Sequence, residues 1–202
     1  VAKGPLAAST CYFGATGNTS YGYWAGGDQH PARNLTTVQR VNYANDTATA
    51  AVKSPLVTGV VKVKATGNRS FGYWGGGRDD TDDSDKTSLM QRIDYSNDTA
   101  TSAPKGPLSR ETIWTASTSS RDEGLPIIGS TFAGITNTLP RQIIPASQHG
   151  YWFAGASPGG GTSISQRISY HNDTATGLLR GYLKKTPLEG PASVSSSNYA
   201  YN

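Results

Sequence analysis

A single sequence pattern occurs three times along this chain, and that repetition limits the possible folds more than any other feature. Each copy begins with Gly-Tyr-Trp, continues through a variable loop to Gln-Arg-aliphatic-x-Tyr, and then reads Asn-Asp-Thr-Ala-Thr. Pro-Leu pairs at Pro5, Pro55 and Pro107 mark starts about fifty residues apart, and a further pair at Pro187 follows the third copy. A period of this length predicts an array of similar structural units. We therefore divide the chain into unit 1 (5–54), unit 2 (55–106), unit 3 (107–186) and a partial fourth unit (187–202).

The residue pattern of unit 2 predicts four short strands. Residues 57–66 alternate loosely and are rich in valine, residues 70–74 are aromatic, residues 88–95 alternate between two faces, and residues 99–103 form a short polar strand. Turn signals separate these segments, and two prolines in 104–107 break the pattern. Only 16% of the residues are charged and 24 are glycine, a composition that favours strands joined by turns over helices. We expect an all-β protein.

Four antiparallel strands in about fifty residues match one propeller blade. The order of features resembles the kelch family of β-propellers, in which a di-glycine ends the second strand and an aliphatic-x-Tyr element ends the third. Gly26-Gly27 and Gly76-Gly77 match, whereas unit 3 has Ala154-Gly155, and the fourth strands lack the Trp usual in kelch units. The resemblance implies kelch-like blades: three four-stranded units and a partial fourth, in an incomplete ring.

Propellers use roughly four to eight blades, so three units do not close a ring. Three alternatives stay open. The chain is part of a longer protein, another subunit completes the ring, or the sheets form an open assembly.

A second resemblance is closer. The segments 71–77, 92–101 and 105–108 are similar to repeats in virion structural proteins of marine cyanobacterial phages. The similarity covers nearly the whole chain outside residues 110–147. It implies a structural or fibre-type virion protein that is located in the extracellular particle.

The residues present in every unit are predicted to build the units rather than to carry out chemistry. The planar guanidinium of the repeated Arg suits pairing with a carboxylate or carbonyl oxygen of its own or a neighbouring unit; the alternative is a ring of anion-binding sites. The Tyr-Trp pairs are predicted to pack in the core, with stacking on sugars as the alternative. The aspartates of the Asn-Asp turns are predicted turn residues. These structural residues are Arg40, Arg92, Arg167, Trp24, Trp74 and Trp152, with the turn residues Asp46, Asp98 and Asp173.

Unit 3 contains an insertion, 119–147, that the other units lack. In a blade it would lie at the tip of the first hairpin. It carries more apolar residues than one small unit buries easily, so we predict contact with a partner; the alternative is a lid over the unit's own core. The predicted contact residues are Leu125, Ile127, Ile128, Phe132, Ile143 and Ile144.

The loop after Gly76-Gly77 concentrates acidic residues. Oxygen ligands at close spacing suit calcium, but the EF-hand spacing is absent, so a solvated acidic loop is the favoured interpretation and calcium the alternative. The five residues are Asp79, Asp80, Asp82, Asp83 and Asp85. No nucleophile motif, phosphate-binding loop or pair of catalytic carboxylates occurs in the sequence. We predict no cofactor and no enzymatic activity.

The leading hypothesis is a non-enzymatic virion protein, a fibre, decoration or connector module that contacts other virion proteins or copies of itself. The alternative is a carbohydrate-binding propeller that recognises host surface glycan. A hydrolase or lyase propeller has little support. Basic residues are scattered, which does not indicate nucleic acid, and no stretch approaches the roughly eighteen apolar residues of a membrane span. A cluster of exposed aromatic side chains with Asn, Asp or Arg on one loop face would favour the glycan hypothesis.

Overall fold

The computed structural model describes residues 2–79, 85–119 and 148–184, together with the strands Val194–Ser195 and Ala200–Tyr201. The secondary structure in these ranges is β-strand, apart from two single turns of 3-10 helix at Tyr43–Asn45 and Tyr95–Asn97. The prediction of an all-β chain is confirmed. No helix in the described ranges is long and apolar enough to cross a membrane.

Each unit forms one four-stranded antiparallel sheet whose strands follow chain order from one edge to the other. The sheet of unit 1 consists of β1 (Gly14–Gly17), β2 (Tyr21–Ala25), β3 (Val38–Asn42) and β4 (Ala51–Lys53). The sheet of unit 2 consists of β5 (Lys64–Gly67), β6 (Phe71–Gly75), β7 (Met90–Asp94) and β8 (Ala103–Lys105). In unit 3, a small hairpin of β11 (Ala156–Ser157) and β12 (Gly160–Gly161) interrupts the sheet of β9 (Ala116–Ser119), β10 (His149–Phe153), β13 (Ile164–Ser169) and β14 (Leu178–Tyr182).

The register of the first three strands is the same in the three sheets, whereas a bulge between Ser165 and Gln166 shifts the pairing of β13 with β14. Tyr23 lies opposite Thr16 on one side and Arg40 on the other. The corresponding tyrosines of units 2 and 3 lie opposite Arg92 and Arg167. Because directly opposed residues point to the same face of a sheet, every unit presents a Tyr and an Arg side by side.

A further hairpin, β15 (Val194–Ser195) and β16 (Ala200–Tyr201), pairs Val194 with Tyr201. Val194 and Tyr201 are seven residues apart, as are Thr16 and Tyr23, which pair between β1 and β2. Strand β15 contacts β9, as β5 contacts β1. The hairpin therefore occupies the place of the first two strands in a fourth sheet.

Two strands of unit 2 begin later in the structure than the sequence predicts. The strand predicted at 57–66 begins only at Lys64, because Val60, Val61 and Val63 are buried in an irregular link in which Lys62 has a φ of 59°. The strand predicted at 99–103 is Ala103–Lys105, since the turn after β7 runs on through Thr99. Pro104 lies inside this strand, where the open edge of the sheet does not need its missing N–H.

The apolar core lies between the sheets rather than within any one unit. One cluster joins Tyr23 and Val38 of unit 1 to Trp74 of unit 2, and a second joins Tyr73 of unit 2 to Trp152 of unit 3. The first strands also pack in series, β1 against β5 and β5 against β9. The described residues do not close into a ring, so the propeller stays a prediction.

Candidate functional site

The polar residues of the repeat converge where one unit meets the next. At the junction of units 1 and 2, the hydroxyl of Tyr23 donates to Asp98 Oδ2 at 2.9 Å, and Arg40 Nη1 donates to the same oxygen at 2.7 Å. Lys53 Nζ lies 3.2 Å from Asp98 Oδ1. Tyr, Arg and Lys belong to unit 1, whereas Asp98 belongs to the turn of unit 2. We call this four-residue contact the inter-unit latch.

The junction of units 2 and 3 repeats the latch with equivalent residues. Tyr73 donates to Asp173 Oδ2 at 2.9 Å, Arg92 Nη1 donates to the same oxygen at 2.6 Å, and Lys105 Nζ lies 3.3 Å from Oδ1. The side chains of Asp98 and Asp173 are only 8% and 9% exposed. Two nearly buried carboxylates thus each satisfy three donors of the preceding unit.

Aromatic rings hold the donors of the latch in position. Tyr95 stacks on Tyr23 and Tyr170 stacks on Tyr73, each with ring centroids 4.7 Å apart. The guanidinium of Arg40 lies 4.2 Å above the ring of Tyr21. Because a guanidinium stacks readily on an aromatic face, Arg40 is held between a ring of its own unit and the carboxylate of the next.

A buried glutamine in each unit fixes the link that leads into the unit. Gln91 Nε2 donates to the carbonyl of Thr58 at 3.0 Å, and its Oε1 accepts from the Thr58 backbone N–H at 3.0 Å. Gln39 makes the same pair of contacts with Ala8, and Gln166 accepts from the backbone N–H of Arg110. These glutamines secure the chain just before it enters the first strand.

The latch is incomplete on the outer sides of units 1 and 3. Asp46 is 39% exposed and is paired with Lys3, which lies at the position of Lys53 in the preceding repeat. In unit 3, no ion pair or side-chain hydrogen bond of Tyr151 or Arg167 lies within the described residues. Burial lowers the pKa of the adjacent His149, and the charge of Arg167 lowers it further.

The latch keeps its groups in fixed charge states. Burial and then the neighbouring carboxylate raise the pKa of Tyr23 and Tyr73 far above the ordinary value, so both remain hydrogen-bond donors. Burial alone would raise the pKa of Asp98 and Asp173. The hydrogen bond from the tyrosine, together with the lysine and arginine, outweighs burial and holds both values below the ordinary range.

We expect this pKa shift to make the protein less stable in acid. A carboxyl group whose folded-state pKa is lowered stabilises the fold above its unfolded pKa of about 3.9 and loses that contribution as the pH falls through the folded value. The double variant Asp98→Asn/Asp173→Asn should be less stable than the parent at pH 7, and urea unfolding should show this difference shrinking below about pH 4. A difference that stays constant from pH 7 to pH 2 would contradict the lowered pKa.

A second cluster lies where the first strands of the units meet. Tyr12, Lys62 and Trp114 each stand two residues before the first strand of their unit, and their φ angles are 58°, 59° and 57°. This left-handed conformation costs a side chain other than glycine about 1–2 kcal/mol. The rings of Tyr12 and Trp114 meet edge-on with centroids 5.2 Å apart, and Lys62 Nζ lies 4.9 Å from the Trp114 centroid. We call these three residues the first-strand cluster.

The remaining predicted residues fall in different places. Trp74 and Trp152 are fully buried, whereas Trp24 is half-buried. The six predicted contact residues of the insertion lie outside the described residues, as do Asp80, Asp82 and Asp83 of the acidic loop. Asp79 and Asp85 lie within them, and the described residues contain no group of three or more His, Cys, Asp or Glu that could hold a metal ion.

Sequence reasoning missed the glutamines and the first-strand cluster. The glutamines carry a signal, because each directly precedes the repeated Arg. The first-strand cluster carries no such sequence signal. Its three residues occupy the same position in successive units, but Tyr, Lys and Trp share no chemical property that would appear as a repeated pattern. Comparison with known proteins adds no assignment: no protein-family model and no curated protein matches this sequence.

Proposed function

We propose that this chain is a non-enzymatic structural protein of a virus particle, a fibre, decoration or connector module that acts through protein–protein contacts. The sequence similarity to virion repeats of marine cyanobacterial phages suggests the setting. In this proposal the units are kelch-like propeller blades in an incomplete ring. The partners are other virion proteins or copies of the same chain.

The observation that carries the proposal is the inter-unit latch. The repeated Tyr, Arg and Asp side chains are the polar groups that a catalytic or anion-binding function would need. At both described junctions they are engaged in joining one unit to the next. A repeat whose polar residues serve the contact between units suits a protein built for assembly.

Exposed side chains in unit 1 and on β14 of unit 3 support the same proposal. Tyr43 is 50% exposed, whereas its equivalents Tyr95 and Tyr170 are buried against the preceding unit. At the other side, Leu178 and Tyr182 of β14 are 55% and 73% exposed. Exposed apolar and aromatic groups on the outer sheets favour contact with further protein surfaces.

Quantitative mass spectrometry of purified particles tests this function. We expect peptides of the chain at a fixed copy number per particle, retained after washing in high salt. A matched preparation of lysate proteins that do not sediment with particles serves as the control. If the chain is abundant in infected cells but absent from particles, the structural role is wrong.

Recognition of host surface glycan is the second candidate function. The specific observation in its favour is the first-strand cluster, in which Tyr12 is 51% exposed beside the ring of Trp114. An exposed aromatic face next to a second ring and an ammonium group is a surface on which a sugar can stack. This function is compatible with a place in the particle.

A further inference from the structure

The first-strand cluster combines groups from three units at one place. Strands β1, β5 and β9 pack in series, and the residues just before them are brought together by that packing. The backbone N–H of Lys62 donates to the carbonyl of Tyr12 at 2.8 Å, which joins the first two members directly. Trp114 completes the group through its contacts with the Tyr12 ring and the Lys62 ammonium. No single unit could form this arrangement alone.

The backbone at all three positions favours glycine, yet each carries a large side chain. At another left-handed position of the repeat, units 1 and 2 use Gly26 and Gly76, and unit 3 uses the small residue Ala154. A strained conformation persists only where the surrounding structure holds it, and such conformations concentrate at functional sites. Burial does not explain the strain at Tyr12, which is 51% exposed, whereas the core residue Tyr23 is fully buried.

The chemistry of the three side chains defines a class of ligand. Two rings at an interplanar angle of 90° form a corner with aromatic surface on both sides. The negatively polarised face of an aromatic ring attracts the C–H groups of a pyranose ring. The Lys62 ammonium beside this corner is a compact point charge that suits a carboxylate or sulfate. Small-molecule sites commonly combine aromatic walls with a few placed polar groups.

We propose that the first-strand cluster binds an anionic carbohydrate, with the sugar ring stacked on Tyr12 and Trp114 and the acidic group paired with Lys62. This inference rests on the second candidate function and names its ligand class. The rival explanation is a plug, in which the side chains only fill the space between the ends of the first strands. The two explanations differ in what glycine substitutions should do.

Binding is tested first with the full chain on an immobilised panel of uronate-, sialate- and sulfate-bearing oligosaccharides, each paired with its neutral counterpart. We expect at least one acidic oligosaccharide to bind and its neutral counterpart to bind at least about tenfold more weakly, since it lacks the partner for Lys62. The best acidic ligand is then titrated by calorimetry. If no acidic oligosaccharide binds, or if acidic and neutral forms bind equally, the proposal is wrong.

Variants then assign the site. Tyr12→Gly should weaken binding at least about tenfold through loss of stacking, while its melting temperature equals or exceeds that of the parent because glycine relieves the left-handed backbone. Lys62→Gln should abolish the preference for the acidic ligand. Tyr43→Ala is the matched control, because Tyr43 is equally exposed at 50% and lies on the outer side of unit 1. This control should bind like the parent.

The outcomes separate the explanations. A Tyr12→Gly variant that binds like the parent, or one that loses binding only because it melts at a much lower temperature, would support the plug and overturn the proposal. Particle mass spectrometry is an independent readout. Loss of glycan binding with normal copy number in particles would leave both the structural function and this site standing, whereas absence from particles would affect the structural function alone.

Discussion

Replacing Asp98 with alanine is expected to lower the free energy of unfolding by about 3–5 kcal/mol. The substitution removes the acceptor of three donors at once and leaves the hydroxyl of Tyr23 and the guanidinium of Arg40 without their partner. Tyr23 is fully buried, so water cannot replace the lost hydrogen bond without opening the junction. Urea unfolding followed by tryptophan fluorescence measures the change.

The repeat provides a matched control for this prediction. Asp46→Ala changes the equivalent residue of unit 1, whose carboxylate is 39% exposed and paired with Lys3. An exposed ion pair contributes about 0–1 kcal/mol, so this variant should unfold almost like the parent. Equal losses of stability in the Asp46 and Asp98 variants would show that the turn, rather than the contact between units, depends on the aspartate.

Trp74→Ala is expected to cost about 3–5 kcal/mol. Its side chain is fully buried in the apolar cluster between units 1 and 2, and its indole N–H donates to the carbonyl of Gly14 at 2.9 Å. Truncation therefore leaves a cavity and removes a hydrogen bond to the neighbouring sheet. The free energy of unfolding from urea titration at pH 7 measures the loss.

The control for this variant is Trp24→Ala in unit 1. Trp24 occupies the same repeat position but is half-buried, because no described unit packs against its outer side. We expect a clearly smaller loss of stability than at Trp74. Similar losses at the two positions would mean that the tryptophans stabilise their own sheets and that the core between units contributes little.

The spacing of repeated residues predicted four strands in a unit, and the structure has three four-stranded sheets. Periodicity identified the strand at 88–95 within two residues of β7 (Met90–Asp94), because its apolar and polar residues alternate. The first strand of unit 2 was harder to place. Val60, Val61 and Val63 are buried in a link rather than in the sheet, and hydrophobicity alone does not distinguish these two environments.

The partners within the latch could not be predicted from the sequence. A repeated Arg indicates a structural partner, but Arg40 contacts an aspartate 58 residues away in the next unit. Its own unit offers an equivalent Asp46 much nearer in sequence. Only the stacking of successive sheets decides between the two. The same limitation hid the first-strand cluster, whose members come from three different units.

The central claim is that the aspartate of one unit is coupled to the donors of the unit before it. A double-mutant cycle at the second junction tests this most directly, with Arg92→Ala, Asp173→Ala, the double variant and the parent compared by urea unfolding. We predict a coupling energy of about 1–3 kcal/mol, because the two residues share a hydrogen bond in a partly buried site. Additive effects within about 0.5 kcal/mol would contradict the latch.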